Sequence, residues 1–269
     1  MTMHVARGLA HLPRSGEPVF AVVGVFDGLH LGHEYLLDLL AREARARSAR
    51  PMVITFDHHP DEVLTGSAPP LLCDPDERLA RIAAAGVDTT VIVHFDERLR
   101  QTRFELFVGE IQARVPVAGF LMTPDAAFGY QRAGTPETLA ALGRTAGFDV
   151  VVVPPFTLEG RQVRSTEVRS AIHLGDLVEA ASLLGRPHSV TGQATERAKG
   201  SGSLVRFPLP VALPPDGTYR VEVGPVGVEA DDTALVLDGA LVLIDTPPTP
   251  WVRVAFVPHP LGDAPEGPA

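Results

Sequence analysis

An α/β domain built on a parallel sheet, followed by a small antiparallel β-barrel or sandwich, is the architecture this sequence predicts, and three observations predict it. From residue 19 to about residue 154, short β-branched apolar runs alternate with amphipathic stretches. The runs are almost continuously apolar, as strands covered on both faces are, which implies a parallel sheet with right-handed crossovers. After about Pro187 helical periodicity stops, and short β-rich runs punctuated by glycine and proline take over. The sequence thus divides into residues 1–187, residues 188–258 and a tail, 259–269, expected to be disordered.

The elements follow in order. VFAVVGV (19–25) reads as a buried strand, and Leu36, Leu37, Leu40, Ala41 and Ala44 then recur at helical spacing. MVITF (52–56) is the next strand. DERLARIAAAG (76–86) predicts a helix closed by glycine, and TTVIVHF (89–95) a strand. RFELFVGEIQAR (103–114) reads as a helix and VAGFLM (117–122) as a strand. TPETLAALGRTAGF (135–148) opens with an N-cap threonine and a first-position proline and leads into the strand DVVVV (149–153). Beyond Pro187, SVTGQAT, LVRFPLPVAL, TYRVEVG, TALVLDG, ALVLIDT and WVRVAFV supply the strands of the second, all-β part.

Composition narrows the function classes. The net charge of −10 argues against a bulk nucleic-acid binder, whose affinity needs a basic face. There are 22 arginines and one lysine, Lys199, so phosphate chemistry must rest on arginine, histidine, backbone amides or a metal. That lysine lacks the preceding glycine pattern of a P-loop. No apolar run approaches the about 18 residues of a membrane span. The start, MTMHVARGLAHLPRSGE, lacks the apolar core and cleavage site of a signal peptide. A single cysteine, Cys73, cannot form an intrachain disulfide and fits a reducing, cytoplasmic setting.

The sharpest chemical signal is GVFDGLHLGHEYLL (24–37), at the carboxyl end of the first strand, where ligands bind in such sheets. A tight glycine turn and a helix starting near His30 make an amide-rich, positively polarised terminus suited to phosphate. His30 and His33, three apart, face one side of that first turn, and Gly32 between them leaves room for a ligand. Two imidazoles aimed at a phosphoryl group can stabilise charge that builds on its oxygens. Both are expected at a helix terminus outside the core.

The pair resembles the H-x-G-H signature of the nucleotidylyltransferase superfamily. GVFDGLHLGH is similar to the first motif of the bifunctional riboflavin kinase/FMN adenylyltransferase (FAD synthetase) family. TFDHHPDEVL (55–64) resembles its second, usually T-F-[DE]-P-H-P-x-x-V-[LF]; His58, beside His59, has no motif partner. DAAFGYQRAG (125–134) resembles its D-F-x-F-G-x-x-R-x-G. RSTEVRSAIHLGDLVEAASLLGRPHSVTG (164–192) follows its S-S-T-x-I-R, G-D-x-x-x-A and L-G-R-P motifs in order. The match spans about residues 19–192.

The resemblance implies a Rossmann-like nucleotidylyltransferase domain that transfers AMP from MgATP to FMN and releases pyrophosphate. It implies small-molecule nucleotide and flavin partners, no nucleic acid and no membrane, and leaves the oligomeric state open. It places His30 and His33 on the ATP phosphates, and Ser165, Thr166 and Arg169 on the β- and γ-phosphates. Ser165 and Thr166 also stand where a helix N-cap belongs. Asp125 is implied near the ribose or the magnesium, and His59 near the phosphate or metal region. Gly24, Phe26 and Gly129 are implied in the floor of the nucleotide pocket, with Phe128 beside them.

Departures from the family pattern bear on the acceptor and on the C-terminal third. Ala126 and Ala127 replace an aromatic and, commonly, a basic residue; Thr123-Pro124 replaces a glycine–acid pair; Arg164 stands in place of the first serine. Where the kinase module carries P-T-A-N, the chain reads Phe207-Pro208-Leu209-Pro210-Val211, and no glutamate follows in the usual catalytic setting. The segment also reads as short for a complete kinase barrel with its closing helix. The expectation is a degenerate riboflavin-kinase-like module without kinase activity. Two alternatives stay open: nucleotidyl transfer to another phosphorylated acceptor, and a non-catalytic flavin or nucleotide sensor.

Overall fold

The apolar runs of the first 160 residues do pair as a parallel sheet. In the computed structural model, which describes residues 3–197, 202–225 and 229–258, six strands lie in the order β1-β4-β3-β2-β5-β6. The chain runs β1 (His4–Arg7), β2 (Val19–Val23), α1 (Leu31–Ala46), β3 (Arg50–Phe56), α2 (Pro60–Thr65), α3 (Pro75–Ala84) and β4 (Thr89–Val93). It continues through α4 (Glu97–Arg100), α5 (Phe104–Gln112), β5 (Val117–Met122), α6 (Pro136–Ala146) and β6 (Asp149–Val152). Every strand pair is parallel. β4 is buried at all five positions, which explains its unbroken β-branched sequence.

Local chemistry fixes the ends of these elements. Thr135 and Thr138 form a reciprocal capping box at the start of α6, Pro136 occupies the first turn, and Gly147 closes the helix in the left-handed conformation. The core beneath the helices joins Ala21, Met52, Ile54, Val91, Phe107, Ile111 and Phe120. β1 has no counterpart in the sequence reading: four residues, HVAR, are too few to show a period.

The chain next forms a hairpin, β7 (Thr157–Leu158) and β8 (Arg161–Gln162), whose two turn residues, Glu159 and Gly160, have φ of 51° and 78°. Two helices follow, α7 (Ser165–His173) and α8 (Leu177–Leu184). The all-β part comprises β9 (Ser189–Glu196), β10 (Ser203–Arg206), β11 (Gly217–Val223), β12 (Ala230–Leu237), β13 (Ala240–Leu243) and β14 (Thr249–Phe256). It is a closed antiparallel barrel in the order β10-β13-β12-β11-β14-β9, so the barrel stands and the sandwich does not. Its strands suffice for closure, and among the described residues no helix follows β14. The run LVRFPLPVAL is a strand only as far as Arg206, because Pro208 and Pro210 have no amide hydrogen for a ladder. The buried carboxylate of Asp232 accepts the amides of Thr233, Asp245 and Thr246, which ties β12 to the loop after β13.

The fold separates into two units. The first comprises the chain up to Phe26, Gly32–Pro69 and Arg78–Thr157; the second comprises Asp27–Leu31, Pro70–Glu77 and the chain from Leu158. Among the described residues no helix is long and apolar enough to cross a membrane. The tail 259–269, expected to be disordered, lies outside the described residues.

Gly119 in β5 allows the sheet to close over an aromatic ring. A Cβ there would stand 2.5 Å from the Phe20 ring and 2.6 Å from the Asp149 carbonyl oxygen. Arg47 covers that ring from 4.8 Å, so the phenyl cannot simply swing away. Gly119→Ala should therefore lower the stability of the first unit by about 1–3 kcal/mol, as overpacking does. Chemical denaturation followed by circular dichroism checks this; an unchanged midpoint would mean that the sheet has slack at this point.

Candidate active site

After β2 the backbone turns through Phe26, Gly28 and Leu29, with φ of 54°, 78° and 39°. Three left-handed residues in four, two of them bulky, mark a strained turn held in place by its surroundings. Gly28 has no substitute: its Cβ would lie 2.8 Å from that of Leu72. In the first unit the turn is braced through the Val25 carbonyl, which accepts the Thr55 hydroxyl at 3.0 Å and the Arg78 guanidinium at 3.2 Å. Arg78 is buried and also donates to the Phe56 carbonyl at 3.0 Å, so it ties the end of β2 to the end of β3.

In the second unit, buried Asp27 gathers the polar groups. Its carboxylate accepts the Leu72 amide at 3.0 Å and is ion-paired with Arg169, whose Nε donates to the Pro70 carbonyl at 2.8 Å. The Asp27 backbone carbonyl accepts the Ser165 hydroxyl at 3.1 Å. Arg186 donates to the Gly28 carbonyl at 2.6 Å and the Leu29 carbonyl at 3.1 Å. A buried pair of this kind is costly to break, because the surviving charge is left without its counter-ion.

Burial decides the protonation of His30. It is 4% exposed, and desolvation, with the positive charges of Arg186 and Arg169, pushes its pKa down to about 4. At neutral pH it is a neutral imidazole able to donate one hydrogen bond. The expectation that it lies outside the core fails for the same reason. Burial likewise pushes His188 down to about 4; its Nε2 donates to the Ala212 carbonyl at 2.8 Å. Burial first, then the negative charges of Asp27 and Glu77, pushes the Cys73 thiol up to about 12.

The first unit holds a cavity of about 500 Å³ beyond the carboxyl ends of β2, β3, β4 and β5. Phe56, Phe95, Phe107 and Phe128 supply aromatic wall, while Arg100 and Arg132 supply charge. Gly24, Gly129, Thr123, Ala126 and Ala127 line it too. Gly129, at φ 76°, admits the close approach of Phe104, whose backbone nitrogen would lie 2.7 Å from a Cβ.

The first unit thus contains Gly24, Phe26, His33, His59, Asp125, Phe128 and Gly129, and the second contains His30, Ser165, Thr166 and Arg169. The Phe26 ring is tilted against that of His33 at 5.1 Å. His59 caps α2, its Nδ1 accepting the Asp61 amide at 3.2 Å, which leaves the proton on Nε2. Asp125 is exposed and accepts the Thr123 hydroxyl at 2.8 Å. Two expectations about helix starts are corrected. α1 begins at Leu31, so His33 is in its first turn and His30 immediately before it. The cap of α7 is Arg164, whose side chain does not cap the helix; Ser165 is the first helical residue and Thr166 is exposed. Asp27, Arg78 and Arg186 were missed as organising residues. The only signal for Asp27 was a carboxylate in an otherwise apolar glycine turn.

A family model described as FAD synthetase matches residues 13–167. The bifunctional riboflavin kinase/FMN adenylyltransferase of Escherichia coli (strain K12) is 33% identical over 230 residues, covering 82% of this chain and 73% of the relative. The protein of that name from Pseudomonas fluorescens is 31% identical over 227 residues, with 82% and 73% covered. Among solved structures, one titled a macrolide-efflux protein from Streptococcus pneumoniae superposes with a TM-score of 0.80 at 22% identity, covering 96% of this chain and 90% of that one; it shows the fold.

The two buried histidines make the second unit acid-sensitive. Unfolded, each takes up a proton near the ordinary histidine value of 6.5; folded, each resists until about 4. The unfolded state therefore binds more protons in that window, and stability falls as pH drops from about 6.5 towards 4, by up to about 3 kcal/mol per histidine. His188→Gln, which keeps a donor for Ala212 but does not titrate, should remove about half of that loss. Denaturation midpoints measured across the window check this, and a slope unchanged in the variant would contradict it.

Proposed function

The chain belongs to the FAD synthetase family of nucleotidyltransferases, and from that premise we propose that it transfers the adenylyl group of ATP to FMN. An FMN phosphate oxygen attacks the α-phosphorus in line, the bond to the β-phosphate oxygen breaks, and pyrophosphate leaves with that electron pair. No covalent enzyme intermediate is needed, so catalysis rests on positioning and charge stabilisation.

The observation that carries the reading is the aromatic cavity at the strand ends. Five phenylalanines, Phe120 among them, around about 500 Å³ suit a flat, largely apolar ring system such as a flavin, with Arg100 and Arg132 available to its anionic end. In the second unit, α7 presents first-turn amides that no side chain of its N-cap satisfies, next to Ser165 and Arg169. That is a suitable setting for the phosphates of ATP. His30 donates from a neutral ring, so there the positive charge comes from Arg169 and Arg186. In the first unit, His33 offers a further imidazole and His59 an Nε2 proton. Asp125, an exposed carboxylate, would help hold magnesium brought with ATP, which would neutralise phosphate charge.

A second reading, another phosphorylated acceptor, has a specific observation in its favour. Thr123, Ala126 and Ala127, which depart from the family pattern, all line the cavity. In the C-terminal unit we propose that kinase activity is absent. Leu209 is exposed between two prolines, and none of Pro208, Leu209, Pro210 or Val211 has a side chain that can ligate a metal or activate a hydroxyl.

Incubation with ATP, magnesium and a panel of phosphorylated acceptors, read by pyrophosphate release and chromatography, should give FAD from FMN; release with a different acceptor but not FMN would favour the second reading. Riboflavin in place of FMN should yield no FMN peak above the enzyme-free control. His33→Ala should reduce turnover on the order of 100-fold, as loss of a transition-state donor does. Phe128→Ala should instead raise KM for FMN about tenfold, equivalent to about 1.4 kcal/mol of ring contact, and spare KM for ATP. Equal effects of Phe128→Ala on both substrates would sink the assignment of the cavity.

A further inference from the structure

We propose that Asp57, His58 and His94 form a binding site for a divalent transition-metal ion of the zinc class, on the surface of the first unit. The two strands that carry them are neighbours: β3 ends at Phe56 and β4 at Val93, and the residues that follow emerge side by side. A ligand atom from each of the three lies within 4.8 Å of the other two. His94 Nδ1 is 2.7 Å from Asp57 Oδ2, and the His58 and His94 rings stand edge to face with centroids 5.6 Å apart.

The groups are oriented by what surrounds them. Asp57 Oδ1 accepts the backbone amides of His58 at 2.8 Å and Phe95 at 3.2 Å, which turns Oδ2 towards His94. His58 Nδ1 is 3.1 Å from Glu62 Oε2, one turn along α2. A carboxylate on one imidazole nitrogen fixes the tautomer that leaves the other nitrogen's lone pair for a metal, the arrangement in which zinc-ligating histidines are held. The second motif usually has proline at the position of His58, so this histidine is not explained by the adenylyl-transfer reading, and the proposal does not depend on that reading.

Two imidazoles and one carboxylate select zinc, cobalt, nickel or copper over magnesium or calcium, which prefer oxygen alone. Zinc needs ligand atoms about 2.0–2.2 Å away, which small side-chain rotations of these exposed groups provide. On binding, the ion replaces the proton shared by His94 and Asp57, and that proton leaves to solvent. Water fills the remaining coordination positions. The bound ion would clamp the residues after β3 to the residue after β4 and so steady Phe56, Pro60 and Phe95, which wall the cavity.

Titration of the tag-free full chain with zinc chloride in a calorimeter should show one saturable equivalent. Cobalt(II), used as a visible probe, should give ligand-field bands indicating nitrogen ligation. Glu62→Gln should weaken zinc about 10–100-fold, and His94→Ala by more, with unchanged denaturation midpoints because both side chains are exposed. Absence of saturable zinc binding, or the same affinity in wild type and His94→Ala, would overturn the proposal and leave two ordinary surface ion pairs.

Discussion

The buried carboxylate of Asp27 is the constraint on which the polar cluster of the second unit depends. A charge with so little exposure survives only with its own hydrogen bonds and counter-ion. The amide of Leu72 and the guanidinium of Arg169 provide them. Those bonds fix the direction of the arginine, and the Asp27 main chain holds the first residue of α7 through Ser165. One residue of a glycine turn thereby sets the positions of a helix terminus and a guanidinium from far along the sequence. The same turn buries His30 among positive charges and keeps it neutral, so hydrogen bonding and ionic charge are assigned to different residues.

The first unit shows a complementary economy. Arg78 and Thr55 both spend their donors on main-chain carbonyls at the ends of β2 and β3 rather than on a ligand. That leaves the wall of the cavity to phenylalanines, whose edge-to-face and tilted contacts, such as Phe56 on Phe95 and Phe107 on Phe128, hold the rings open. A large pocket persists beside a dense core because its lining is braced from behind.

Much of this was legible in the sequence, for definite reasons. Strands β2 to β6 carry largely apolar runs, and helices α1, α3, α5 and α6 carry the helical period, α6 with threonine and glycine at its ends, so both were readable. β1 and the β7–β8 hairpin are too short to hold a period. The barrel strands were visible by alternation, but barrel and sandwich share that alternation and differ only in which edges meet. The histidine turn stood out because glycine spacing is local. Arg78, Arg186 and Asp27 did not, because each acts on backbone groups or side chains tens of residues away or more, and such bonds leave no periodic trace. The burial of His30 was illegible for a related reason: it is a property of the folded packing, which local glycine spacing does not record.

The single cysteine closes on a different property. Cys73 is buried, and burial pushes its thiol far above the usual range, so at neutral pH it stays protonated and unreactive. The native chain is therefore silent towards alkylating reagents, while an opened one is not. Because the residue sits in the segment that supplies Asp27 with the Leu72 amide, the rate at which a thiol reagent modifies it counts the openings of that segment. The chain carries its own clock for the transient opening of the segment around Asp27.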